Sequence, residues 1–556
     1  MTSNSSQNQK NGTDQITEFN AVVVGAGFSG MYMLHSLREL GLTTRVFEGG
    51  SDVGGTWYWN RYPGLKCDTE SLSYSFTFSK ELYQKWTWSS RFAPQQELLR
   101  YANYIADKFD LRKDIQFNKR VMSAHFDEAN HKWQIHLDDG RSVTAKYFIT
   151  GTGPLSSANV PKVKGLESFK GEWYHTGRWP HEKVDFKGKR VAVIGTGSSG
   201  VQIIGAVAKE ADHLTVFQRT PQYITPAQDR RLDPDYVREI KDNFDDFVRQ
   251  MRNSSFGAPG AATDRSIFED TPEERQRVFE AAWQKGAQAF ALGTYNDLNT
   301  NEEANKMAAD FVRSKIAQIV HDPKTAAKLM PTYLFGTKRP VKADGYYEIY
   351  NRENVDLVDL RETPIEQITP TGIRTSDGEY ELDMIVFATG FDAITGTLFK
   401  MDIRGKDGIT LREKWKNGAQ VKTYLGVATN GFPNMFTITG PQSPSVLANY
   451  LFGIQQHVDW ITEFIHYLND KGIDSFEAES DAEVKWSNHC QELAEATFLT
   501  KTKSWWSGGN IEGKPSSSLF TIYLGGVKKF AEILNEVAEK EYEGFVKIST
   551  SQTTMS

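Results

Sequence analysis

The chain is 556 residues long with 39% hydrophobic and 24% charged side chains, an ordinary globular composition too large for one core, so two to four domains are expected. A net charge of −7 gives no basic grip on nucleic acid or an anionic membrane, and no apolar run reaches the ~20 residues that cross a bilayer. Two cysteines, Cys67 and Cys490, exclude a disulfide framework, a structural zinc site and a CxxC redox pair, so a cytoplasmic monomer without metal is the expectation.

Residues 1–17 are rich in Ser, Asn, Gln and Thr, lack the apolar stretch of a secretion signal, and read as a disordered arm; residues 549–556 read as a matching tail. A β-branched run at 19–24 predicts a strand, apolar residues at helical spacing predict a helix over 31–40 closed by Gly41, and 43–48 reads as a second strand. A weaker copy of this β-turn-α-β unit follows, with strands at 189–194 and 214–217 around a helix at 201–211. Residues 226–334 are charged, rich in Glu, Arg, Gln and Ala, and read as a helical insertion, with an amphipathic piece at 272–283. Strands return at 355–360 and 383–387, followed by helices at 445–467 and 524–541. The fold class is therefore α/β with two dinucleotide-binding, Rossmann-like domains. The first comprises 18–150 and 388–548, the second 151–225 and 335–387.

Between the first strand and helix stands Gly25, Ala26, Gly27, Phe28, Ser29, Gly30, a GxGxxG turn. Its glycines permit a tight turn, approach of a pyrophosphate and close helix packing, while the helix N-terminus offers free N–H donors. Glu48 lies 23 residues past Gly25 at the end of the second strand, where a carboxylate accepts ribose hydroxyls. The second turn reads Gly195, Thr196, Gly197, Ser198, Ser199, Gly200, and its following strand ends in Arg219 and Thr220 with no acid. A guanidinium there pairs with a 2′-phosphate that a carboxylate would repel. FAD at the first turn and NADPH at the second is the simplest assignment. Without a cysteine pair, dioxygen is the expected electron acceptor.

Two further motifs go beyond nucleotide binding. Phe169, Gly171, His175, Trp179 and Pro180 fit FxGxxxHxxxWP, and Gly54, Gly55, Trp57, Tyr62, Pro63, Gly64 and Asp68 fit GGxWxxxxYPGxxxD. Both resemble the fingerprints of Baeyer–Villiger monooxygenases, in the branch that includes phenylacetone monooxygenase. The resemblance spans nearly the whole folded chain. It implies that NADPH reduces FAD, that O2 gives a C4a-peroxyflavin, and that this attacks a small ketone to yield an ester or lactone, with sulfoxidation as a side activity.

The resemblance also assigns residues. Arg339 is the cation beside the flavin and Asp68 its partner, while Lys338 joins Arg219 and Thr220 at the 2′-phosphate. Gly55, Thr56, Trp57, Tyr74 and Val121 lie along FAD, with Thr389 and Gly390 in the turn that closes around it. Gln202 and Trp505 contact NADP, Trp505 from a mobile loop at 501–515 containing Gly508, Gly509 and Gly513. Pro154, Leu155, Ser445, Val446 and Leu447 border the substrate pocket. His175 sits on an interdomain connector, where bonding to backbone is expected over acid-base chemistry. The rival readings are a flavin-containing monooxygenase acting on nitrogen or sulfur, and a non-catalytic FAD/NADP-binding redox sensor.

Overall fold

The computed structural model describes residues 17–260 and 263–549. The expected arm and tail lie outside them, except that Thr17 already opens the first strand and Ser549 bonds the Gly472 carbonyl at 3.2 Å.

In the first sheet, β1 (Thr17–Val24), β2 (Thr44–Phe47), β3 (Ile115–Gln116) and β6 (Ser142–Thr150) run parallel in the order β6-β1-β2-β3. The stretch Ala21, Val22, Val23 is fully buried, as a central parallel strand covered on both faces requires. β4 (Val121–Asp127) and β5 (Lys132–Leu137) extend the sheet beyond β6 as an antiparallel meander. The chain returns late to add Asp402–Arg404 to β4 and Met435–Thr437 to β6. The second sheet is wholly parallel, with β7 (Glu172–His175), β8 (Arg190–Ile194), β9 (His213–Gln218), the strand Val355–Asp359 and the strand Met384–Phe387. β8 is its central strand, flanked by β9 and Met384–Phe387. Both folds are thus doubly wound, and each places a Gly-rich turn at the carboxyl end of a central strand, where such sheets bind ligands.

The helix Phe28–Glu39 begins at Gly27 without a side-chain cap and ends with the Gly41 and Leu42 N–H groups donating to the Arg38 and Leu37 carbonyls. It packs so closely on its own turn that a β carbon on Gly30 would lie 1.8 Å from the Gly25 carbonyl oxygen. Gly200 in the helix Ser198–Val207 repeats this at 2.0 Å from the Gly195 oxygen. The helix Tyr450–Asp470 packs behind the first of these, with Tyr32 Oη donating to Asp459 at 2.5 Å. Its expected start at 445 falls instead in a separate turn, Ser445–Leu447, because Asn449 caps the helix proper.

The helical insertion divides between two cores. Pro234–Asp242 and Phe244–Asn253 bring Val237, Phe247 and Met251 into the core of the first fold, while Pro272–Lys285 and Glu302–Ile319 bring Phe279, Trp283 and Phe311 into that of the second. No described helix is long and apolar enough to cross a membrane. Gly30→Ala should lower the stability of the first fold by more than about 1 kcal/mol in thermal melts, since backbone rather than a flexible side chain blocks the added methyl; an unchanged melting temperature would refute this packing.

Candidate active site

One cavity of about 960 Å³ runs from the first Gly-rich turn to the helix Ser198–Val207. Gly25, Gly27, Phe28, Ser29 and Glu48 line one end of it. Glu48 is buried, its two oxygens accepting the Ala26 N–H at 2.8 Å and the Gly50 N–H at 2.6 Å, which fixes the carboxylate at the end of β2. Gly55, Thr56, Trp57, Asp68, Tyr74 and Val121 line the middle. Trp57 and Tyr74 are buried with their rings edge to face at 6.0 Å, and burial pushes the Tyr74 phenol well above its ordinary value.

The fingerprint that carries Asp68 also ties the two folds together. Tyr62 Oη donates to Gln202 Oε1 at 2.9 Å, and Gln202 Nε2 donates back to the Lys66 carbonyl at 3.0 Å. Ser198, Ser199, Gln202, Arg339 and Trp505 line the end toward the second fold. The Arg339 guanidinium meets both Asp68 oxygens through Nη2, at 2.9 and 2.8 Å, and donates through Nη1 to the Val446 carbonyl. Burial alone would raise the Asp68 carboxyl, but Arg339 and Lys342 outweigh it and hold it below the usual range. The Asp68 carboxylate is thus ionised, and the pair faces the cavity. Beside it, burial pushes the Cys67 thiol up to about 12, so it stays protonated and unreactive.

At the second turn, Gly197 has open space where a β carbon would stand, and the helix behind it has no side-chain cap. Thr196 Oγ1 donates to the Thr220 carbonyl at 3.0 Å, which holds the turn against the end of β9. Arg219 is exposed and has no ion-pair partner among the described residues. Lys338 donates to the Lys503 carbonyl at 2.9 Å, and burial together with the nearby Arg219 charge lowers its pKa. The open Gly197, the uncapped helix and these two cations fit a dinucleotide carrying an extra phosphate. Glu48 and the first turn fit one with a free ribose.

Gly30, Gly195, Thr196, Gly197, Gly200, Arg219, Thr220 and Lys338 stand behind or beside the cavity rather than in its lining. Thr389 and Gly390 do not reach it either. They follow the strand Met384–Phe387 in the second sheet, and Thr389 Oγ1 donates to the Asn159 carbonyl at 2.6 Å. Of the expected substrate-border residues, Pro154, Leu155 and Val446 line the cavity. The segment 501–515 is seated by Asn510 on the Phe391 carbonyl at 2.8 Å and by an ion pair between Lys514 and Asp392.

His175 is buried; its Nδ1 accepts from the Gly177 N–H at 3.0 Å, and Nε2 lies 3.3 Å from Thr389 Oγ1. Burial pushes it down to about 4, so it is neutral at physiological pH. The residue that sequence reading missed is Lys342, whose ammonium sits 3.0 Å from the Asp68 carbonyl oxygen. Three positions past Arg339, it reads in sequence as one more solvated charge.

Two doubly wound folds with a cation and carboxylate facing their shared cavity define a flavin-binding monooxygenase, and residues 19–256 match the family model described as flavin-binding monooxygenase-like. A Baeyer-Villiger monooxygenase of Pseudooceanicola batsensis is 45% identical over 96% of this chain and 97% of its own. Phenazine N-monooxygenase PhzNO1 of Lysobacter antibioticus is also 45% identical, over 95% and 97%. The solved structure of oxidized steroid monooxygenase bound to NADP superposes with a TM-score of 0.91 at 46% identity, covering 96% of this chain and all of that one. The chain belongs to the Baeyer–Villiger monooxygenase family, whose cofactors are FAD and NADP.

The state of His175 has a consequence for stability. The unfolded chain takes up a proton near pH 6.5, whereas folded His175 resists it down to about 4, so stability falls as pH drops through that window. His175→Gln should remove up to about 3 kcal/mol of that fall between about pH 7 and pH 4.5 in urea unfolding. An undiminished fall would show that His175 titrates normally.

Proposed function

We infer that this protein uses NADPH and O2 to insert one oxygen atom beside the carbonyl of a small ketone, giving an ester or lactone and water. The observation that carries the reading is the ion pair of Arg339 with Asp68, facing the same cavity as the first Gly-rich turn. FAD would lie along Gly25 to Gly30, Glu48 and the Trp57–Tyr74 pair, and NADP along Gly195 to Gly200 with its 2′-phosphate toward Arg219, Thr220 and Lys338. The first fold, 18–150 and 388–548, is read as the FAD domain, and 151–225 with 335–387 as the NADP domain. When bound, FAD supplies the two-electron redox chemistry that NADPH drives and O2 completes.

The chain's own contribution is electrostatic. Addition of an oxygen nucleophile to a carbonyl puts negative charge on the carbonyl oxygen, and a fixed cation in a cavity sheltered from water stabilises it most. A guanidinium is a permanent cation whose fork serves more than one acceptor. Asp68 and the Val446 carbonyl orient that fork. Trp57 and Tyr74 keep water from the middle of the cavity with apolar ring surface. A second reading, oxygen transfer to a soft nitrogen or sulfur centre, draws on the likeness to phenazine N-monooxygenase. It uses the same cofactors but creates no carbonyl anion for Arg339 to hold.

Arg339→Ala should still let NADPH bleach the flavin under anaerobic conditions, while ester formation followed by gas chromatography falls by at least about 100-fold. Normal ester formation in that variant would remove Arg339 from the mechanism. Arg219→Ala should raise the KM for NADPH about tenfold and leave that for NADH nearly unchanged. Equal effects on both coenzymes would contradict the 2′-phosphate assignment.

A further inference from the structure

Among the described residues, Lys342 is the one lysine buried against the Asp68–Arg339 pair. It lies in the two-residue strand Val341–Lys342, paired in parallel with Ile224–Thr225, and its side chain is 4% exposed. Its Nζ donates to the Asp68 main-chain oxygen at 3.0 Å and lies 4.0 Å from Asp68 Oδ2. It does not line the cavity, so it touches neither cofactor nor substrate directly. An ammonium has three donors and is costly to bury unless charge and hydrogen bonds offset the loss of water. Among the described residues, the only carboxylate within ion-pair distance is Asp68, already engaged by Arg339. One carboxylate shared by two cations leaves one positive charge in excess.

We propose that Lys342 is a positioning residue for the oxygenation step: its ammonium clamps the Asp68 main chain and keeps the Asp68–Arg339–Lys342 cluster net positive, which strengthens the cluster's hold on an anion in the cavity. If Asp68 served Arg339 alone, the pair would be neutral overall and its field in the cavity correspondingly weaker. The groups acting on Lys342 are Asp68, Cys67 and Glu70 on the fingerprint segment and Arg339 on its own; Thr225, its neighbour across the strand pair, carries no charge. Burial pushes its ammonium down to about 8, the Asp68 carboxylate opposing and the Arg339 guanidinium adding to the shift. The excess charge therefore disappears as pH rises past that value.

The proposal rests on the monooxygenase reading, and its test uses no ketone, so the two can fail separately. The holoenzyme is compared with Lys342→Met, which cannot carry the charge, and Lys342→Arg, which cannot lose it. The first readout is the melting temperature from about pH 7 to about pH 10.5. Between about 8 and 10.5 the unfolded chain holds a proton that folded Lys342 has released, so stability rises with pH in that window. Wild type should gain on Lys342→Met through it, and Lys342→Arg should not. The second readout is the rate of hydrogen peroxide release during NADPH oxidation in air. In wild type it should rise about threefold to tenfold with the same midpoint, while staying high throughout in Lys342→Met and low throughout in Lys342→Arg. The proposal is overturned if peroxide release by Lys342→Met follows the wild-type curve, or if wild type gains no stability over that variant. A merely structural lysine would give the same pH-dependent stability difference but leave peroxide release by Lys342→Met on the wild-type curve.

Discussion

The ion pair between Asp68 and Arg339 joins residues 271 positions apart, and the rest of the site is arranged so that they can meet. A guanidinium in a sheltered cavity is expensive to desolvate, and a single carboxylate offsets that cost only when the geometry is good and its remaining lone pairs are satisfied. Here both Asp68 oxygens face the guanidinium, the Val446 carbonyl accepts a further Arg339 donor, and the Asp68 carbonyl accepts from Lys342. The arrangement puts a guanidinium on the cavity wall, where, in the proposed reaction, it would stabilise a developing oxyanion without reorganisation of solvent.

Bringing the pair together requires two folds in fixed relation. The segment between Tyr62 and Asp68 leaves the first fold, bonds Gln202 on the helix of the second, and ends at the carboxylate. Arg339 arrives from the opposite direction, where the chain re-enters the second fold after the helical insertion. That insertion contributes aromatic side chains to both cores, so it braces the junction. Cys67 and Cys490 are buried thiols with raised pKa values, and neither offers a route for electrons.

Much of the fold was legible because its signals are local. β-branched runs and Gly-rich turns mark the strands of both βαβ units within two residues of their ends. Both helices start three residues before their apolar pattern because the Gly-rich turns already open them. The elements that tertiary context decides were misjudged. The helix expected from 445 starts instead beyond Asn449, which supplies the cap, and residues 226–334 look like one insertion although they pack into two cores. The strand Met384–Phe387 falls in the second sheet, as the reading of 335–387 expects, and Thr389 and Gly390 follow it in the turn where that segment leaves the sheet. Asp68 and Arg339 could be named only through resemblance. No spacing rule links them, and Lys342 had no signal at all, since its meaning comes from burial against a residue 274 positions away.

In the proposed reaction one oxygen atom passes from O2 into the carbon framework of a ketone held in this cavity. Turnover of a cyclic ketone with NADPH under ¹⁸O2, followed by mass spectrometry, tests it most directly. The account predicts a lactone carrying one ¹⁸O atom, located at the ring oxygen while the carbonyl oxygen keeps its original isotope. Consumption of NADPH with the ketone unchanged and all label in hydrogen peroxide, across a panel of cyclic, linear and aryl ketones, would contradict it.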